Sequence, residues 1–212
     1  LTINMSYTWS KALQQTAYRD ASEPGPEKTY SGGDRPHALQ VNGIYEVPVG
    51  KGRRWGRSWN RPADALLGGW QASLMYRMEA GYPLPIGNVL LQPGATFADL
   101  PVPGDQRTYL RQFNIDAFNR VPAQQLGSNV RYYSTRTGNV RYMGFDMLDI
   151  RLSKKFRLTE RVSVSLLGEC YNALNATNLM NLDTSPTSPS FGQLRSVNGY
   201  ARQYQLSIRG QF

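Results

Sequence analysis

Apolar and polar residues alternate strictly at several places along the chain, and the alternation has period two. In Arg202 to Phe212, Tyr204, Leu206, Ile208, Gly210 and Phe212 share one parity, while Gln203, Gln205, Ser207, Arg209 and Gln211 share the other. This pattern predicts a strand with one apolar and one wet face, and no helical stripe can be drawn through it. Leu1 to Lys11 repeats it, with Leu1, Ile3, Met5, Tyr7 and Trp9 against Thr2, Asn4, Ser6, Thr8 and Ser10. Further strands are predicted at about 37–47, 69–80, 145–156 and 162–171. In the fourth, Leu148, Ile150 and Leu152 oppose Asp149, Arg151 and Ser153. The expectation is an all-β, antiparallel chain of about six strands.

The connections are unequal. Residues 12–34, 81–143 and 172–200 are rich in Pro, Gly and polar residues and show no sustained period, so they read as loops. The turn Arg157 to Arg161 is short, and Lys51 to Leu67 is a basic connection carrying Trp55 and Trp59. A structureless stretch as long as 81–143 is unusual in a compact soluble domain.

Composition narrows the function classes. No run approaches the roughly 18 to 20 apolar residues that a transmembrane helix needs, which excludes a helical membrane protein. The single cysteine, Cys170, allows no disulfide framework and no cysteine metal site. The net charge of +9 is spread over the connections, not gathered on one helix, so no nucleic-acid partner is expected. The chain starts at Leu1 without a basic-then-apolar leader, and reads as a piece of something longer.

The last strand, ending on Phe212, resembles the closing strand of bacterial outer-membrane β-barrels, which the barrel-assembly machinery reads as a signal. Tyr204, Leu206, Ile208, Gly210 and Phe212 would carry that signal. The resemblance implies a transmembrane β-barrel segment with one face on lipid and the other on a lumen, in the bacterial outer membrane. With Phe212 at the periplasmic end, the three long connections fall outside, as expected of such barrels. Tyr7, Trp9 and Tyr204 then lie toward the outer rim, and Tyr45, Trp70, Phe156 and Phe212 toward the inner one. A soluble all-β binding domain is the alternative reading of the same alternation.

Several stretches, in order, resemble the C-terminal part of TonB-dependent outer-membrane receptors of the Oar-like type, whose full chains begin with a carboxypeptidase-regulatory-like domain. They include Tyr7 to Lys11, Asp34 to His37 leading into Val41 to Pro48, Gly50 to Trp55, and Leu67 to Gln71. Phe113-Asn114 through Ala117-Phe118, Leu148 to Phe156, Glu169 to Asn175 and Phe191 to Gln193 continue the series. The resemblance implies a plug domain, a TonB-contacting segment and a barrel of about 22 strands, of which only about six are present here. Six cannot close a barrel, since single-chain barrels start at about eight strands. The chain is therefore expected to be an incomplete barrel, the C-terminal part of a receptor whose plug and N-terminal strands lie elsewhere. A structural or adhesive barrel without a plug is the other outer-membrane reading.

Candidate chemistry is sparse. His37 is the only histidine, Gly50 to Arg54 lacks phosphate-loop spacing, and neither Asp146 with Asp149 nor Asp20 with Glu23 has the spacing of a calcium loop. No enzyme activity, cofactor or metal is expected. Arg77, Glu79, Asp149, Arg151, Glu169 and Arg209 fall on the wet face, where they would form a cross-strand charge ladder or touch a plug or ligand. Tyr109, Arg111, Phe113, Arg131, Tyr132 and Tyr133 in the long outer loop are of the types that dominate recognition sites, and are the candidates for capturing an unknown extracellular ligand. Lipopolysaccharide phosphates are an alternative partner for the basic residues near the outer rim.

Overall fold

The structure, a computed structural model, describes residues 1–127 and 133–212. Its strands are β1 (Thr2–Trp9), β2 (Leu13–Gln14), β3 (Thr29–Tyr30), β4 (His37–Glu46), β5 (Trp70–Glu79), β6 (Pro83–Pro85), β7 (Arg136–Arg141), β8 (Phe145–Arg157), β9 (Ser163–Tyr171), β10 (Leu179–Leu182), β11 (Leu194–Val197) and β12 (Gln203–Gln211). One short helix, α1 (Arg61–Leu67), lies between β4 and β5. The long strands form one antiparallel sheet in the order β1, β4, β5, β8, β9, β12, and the sheet is not closed.

Register carries the alternation of single strands across the whole sheet. Arg209 pairs with Ser165, Glu169 with Arg151, Arg151 with Ser73, Ser73 with Ile44 and Ile44 with Thr2. Because side-chain direction alternates strictly, the polar positions of all six strands share one face. Leu206, Ile208, Leu166, Leu152, Ile150 and Leu74 lie on the other, exposed and without protein cover. A sheet with an uncovered apolar face is unstable in water, and is the expected state of a wall whose outer face meets hydrocarbon.

The hydrophobic core lies beyond the end of the sheet, not between its faces. Leu84, Ile86, Val89, Leu100, Phe113, Ala117, Phe118 and Val140 come from residues 81–143, and Leu182, Phe191 and Leu194 from residues 172–202. The rings of Phe113, Phe118 and Phe191 meet edge to face with centroids 5.0 to 5.5 Å apart. The described residues of the stretch 81–143, which shows no sustained period in the sequence, thus form a folded cap holding the β6–β7 pair and several single-turn 3₁₀ segments.

The first outer connection is tied to this cap by polar contacts. Thr29 Oγ1 donates to the Arg136 carbonyl at 3.1 Å, and Thr135 Oγ1 donates to Glu27 at 3.0 Å. Arg141 donates to the buried Asp34 carboxylate at 2.7 Å, whose other oxygen accepts from the Ala12 amide. All three outer connections therefore belong to one layer.

Candidate functional site: the lumenal face beneath the cap

The polar face and the cap meet at the outer ends of β5 and β8. Strand β5 ends with Arg77 and Glu79 on the polar parity, opposite Met147 and Phe145 of β8. Glu79 is buried and holds two guanidinium groups. Arg77 Nε donates to its Oε1 at 2.7 Å, and Arg35 forms an ion pair with Oε2. Each arginine also lies over an aromatic ring, Arg77 over Phe145 at 5.3 Å and Arg35 over Tyr82 at 5.5 Å. Two cations share one carboxylate, so the site keeps one positive charge in excess.

Around this cluster is a cavity of about 370 Å³ lined by Arg35, Arg77, Glu79, Tyr82, Tyr142, Met147, Leu179, Met180 and Tyr200 among others. Its walls come from the sheet and from all three outer connections. Burial and the neighbouring Tyr82 raise the Tyr142 phenol above its ordinary value, so Tyr142 stays a neutral hydrogen-bonding group at physiological pH. The Tyr200 hydroxyl donates to Asp149 Oδ2 at 3.2 Å. Burial first and the Asp149 carboxylate second raise the Tyr200 phenol likewise.

Asn172 fixes the connection that carries Tyr200. It is buried, with φ 50° in the left-handed region that Asn tolerates better than most residues. Its Nδ2 donates to the carbonyls of Ala176 and Tyr200 at 3.0 and 2.9 Å, its Oδ1 accepts from the Ala176 amide, and its own amide donates to Asp149.

Further down the same face, Arg151 and Glu169 form a cross-strand ion pair at 2.6 Å. Five of the six wet-face candidates therefore divide into three groups. Arg77 and Glu79 line the cavity, Arg151 and Glu169 pair with each other, and Asp149 anchors the Asn172 to Tyr200 connection. Arg209 lies apart, near the opposite end of β12. Tyr82 and Tyr142 belong to the aromatic residues of the long outer loop, whereas Arg35 and Tyr200 are cavity residues that no sequence pattern singles out. Arg35 precedes β4, so strand parity says nothing about its direction.

The loop candidates are divided more sharply. Tyr109 is exposed, and Arg111 pairs on the surface with Asp116 at 3.0 Å. The Tyr133 ring meets that of Phe97 in a tilted arrangement with centroids 4.5 Å apart, and Arg131 and Tyr132 lie outside the described residues. Phe113 is a correction to the set: at 2% exposure it belongs to the cap core, because its ring packs against Phe118 and Phe191, and it offers no surface to a ligand. His37 Nδ1 meets the Tyr7 hydroxyl at 2.8 Å near the outer end of the sheet. Among the described residues no group of three or more metal-ligating side chains gathers.

An open antiparallel sheet with one bare apolar face, one polar face and a folded cap at one end is the wall of an outer-membrane β-barrel. The chain matches the outer membrane beta barrel domain family over residues 1–205, and it belongs to that family. This is a protein of the bacterial outer membrane. Comparison with curated proteins and with solved structures finds no match.

Proposed function

We propose that this chain is the C-terminal wall of a TonB-dependent receptor that binds an extracellular ligand and passes it through the barrel. The observation that carries the reading is the cavity where the cap meets the lumenal face. A ligand held there touches both the outer layer and the wall of the transport path, through Arg35 and Arg77 and the rings of Tyr82 and Tyr142. Ile44 and Met75, large apolar side chains exposed on the lumenal face, fit contact with a plug domain supplied by another part of the parent chain. Energy would reach that plug through TonB. In this reading the protein is a transporter and not an enzyme. Its other partners are outer-membrane lipid, lipopolysaccharide at the basic outer rim, and the assembly machinery, which would read Tyr204, Leu206, Ile208, Gly210 and Phe212 on β12.

The test is fractionation of the native organism and mass spectrometry of the band that contains these peptides. The expected result is a heat-modifiable outer-membrane band much larger than 23.8 kDa with plug peptides from the same chain. A parent chain without a plug would assign a structural or adhesive barrel instead. In the full receptor, deletion of residues 81–143 is expected to abolish ligand uptake, and unchanged uptake would remove the cap from the binding role.

A further inference from the structure

The connection between β4 and β5, residues 47–69, lies at the periplasmic end of the sheet and is not a simple turn. Val49 and Trp55 form an isolated bridge, Asn60 caps α1 by accepting from the Ala63 amide, and Asp64 accepts from the Lys51 amide. Gly50, at φ 128°, and Gly68 pack so closely that a Cβ on either would collide with Asp64. The result is a built knob carried outside the strand ladder.

Its attachment shows which way it leans. Trp70 Nε1 donates to the Leu66 carbonyl at 3.2 Å, and Lys154 Nζ donates to the Gly68 carbonyl. Trp70 and Lys154 are paired in register, and their parity is that of Leu74, Leu152 and Leu166, the lipid-facing set. Lys154 is almost wholly buried, with its ammonium 5.4 Å from the Trp70 ring and 5.2 Å from that of Phe156. The C-terminal end of α1 therefore rests on the lipid side of the inner rim.

The knob's chemistry fits that position. Helix α1 buries none of its residues, and it ends on Leu66 and Leu67, which are 68% and 57% exposed. Trp55, in the same connection, is 54% exposed. The stretch carries Lys51, Arg53, Arg54, Arg57 and Arg61 against the single carboxylate of Asp64. Arg53 takes Glu46 at 3.0 Å, and Arg54, Arg57 and Arg61 have no ion-pair partner among the described residues. Exposed apolar side chains with uncompensated cations beside them are the signature of a segment that lies in a membrane interface and meets anionic lipid.

We propose that residues 47–69 are an interfacial anchor, which seats Leu66 and Leu67 in the inner leaflet of the outer membrane and binds anionic phospholipid head groups through Arg54, Arg57 and Arg61. The occupant follows from continuity with the lipid-facing sheet and from charge complementarity. The anchor would fix the height and tilt of this wall at its periplasmic rim. It rests on the outer-membrane placement of the sheet with Phe212 at the periplasmic end, and not on TonB dependence.

The test uses the full-length protein with Cys170→Ala, reconstituted in vesicles of phosphatidylethanolamine with or without phosphatidylglycerol. A nitroxide label is placed by Leu66→Cys or Leu67→Cys, and by Glu160→Cys in the short turn between β8 and β9 as the water-exposed reference. Collision with oxygen, which partitions into hydrocarbon, is compared with collision with a polar nickel chelate present on both sides. The expected result is a severalfold higher oxygen-to-nickel ratio at 66 and 67 than at 160. The ratio should fall when phosphatidylglycerol is omitted, and also in the combined variant Arg54→Gln, Arg57→Gln, Arg61→Gln. Labels at 66 and 67 as nickel-accessible as that at 160 would overturn the proposal, as would labels shielded from both reagents, which would place the knob against protein. A high ratio indifferent to anionic lipid and to the arginine changes would overturn the head-group contact.

Discussion

Asn172 holds the start of the third outer connection through one side chain. It satisfies two carbonyls and one amide of the connection it opens, while adopting a left-handed backbone. Asn172→Ala leaves those groups without partners and adds strain at φ 50°, which should cost about 3 kcal/mol. Asn172→Gly, which removes the strain but not the missing bonds, should recover about 1 kcal/mol of that. Urea unfolding midpoints of the full-length protein check both values. The stretch Glu169 to Asn175 is visible in the sequence as a family-like run, but the reason for Asn172 is a set of contacts up to 28 residues away, which no local pattern encodes.

The carboxylates that tie the first connection to the cap give a pH dependence. Burial alone would raise Asp34, but the Ala12 amide and the bond and charge of Arg141 outweigh it, and its carboxyl lies below the ordinary value. At Glu27 burial is likewise outweighed, by the Ser134 and Thr135 bonds and the Arg19 charge. A carboxyl depressed in the folded state stabilises it above its unfolded value of about 4, and the contribution disappears as pH falls through the folded value. The cap should therefore be fully stable above about pH 5 and loosen progressively below it, seen as loss of the near-ultraviolet circular dichroism of its aromatic cluster. Arg141→Gln, which leaves Asp34 buried without its cation, should cost about 3 kcal/mol at neutral pH and reduce the share of this acid sensitivity that comes from Asp34, while the share from Glu27, held by Ser134, Thr135 and Arg19, persists.

At the scale of elements, the closing strand permits a direct test of the two faces. Leu206 and Ser207 are adjacent in β12, and register puts Leu206 opposite Gly168 on the apolar face and Ser207 opposite Leu167 on the polar one. Leu206→Arg should destabilise the folded barrel by about 2 to 4 kcal/mol, whereas Ser207→Arg should be near neutral, as measured by reversible denaturant unfolding in lipid. Equal costs would mean that the faces are not lipid and lumen. All six long strands are legible in the sequence to within about two residues, because a half-buried strand writes its period into consecutive positions. Helix α1 is not: seven residues with Pro62 near the start and no buried face leave no helical stripe, and the stretch reads only as a basic connection. The short strands of the cap are equally silent, since their apolar residues answer partners far along the chain.

For the molecule as a whole, the two layers are held by different forces, and this makes them separable. The sheet is stabilised by its hydrogen-bonded ladder and by lipid against its bare face, with hardly a core residue of its own. The cap is stabilised by a protein core in which the rings of Phe113, Phe118 and Phe191 pack against one another. Phe113→Ala should remove about 3 to 5 kcal/mol from that core, since the surrounding irregular backbone can collapse only partly into the space. Most of this should fall on the cap, because Phe113 packs within the cap core. The expected outcome on intact cells is that externally added protease cuts within residues 81–143 of the variant but not of the native protein, while the band stays heat-modifiable. A variant that loses heat-modifiability together with protease resistance would show that cap and sheet unfold as one cooperative unit. In that case the outer connections would have to be counted among the forces that hold the barrel wall together.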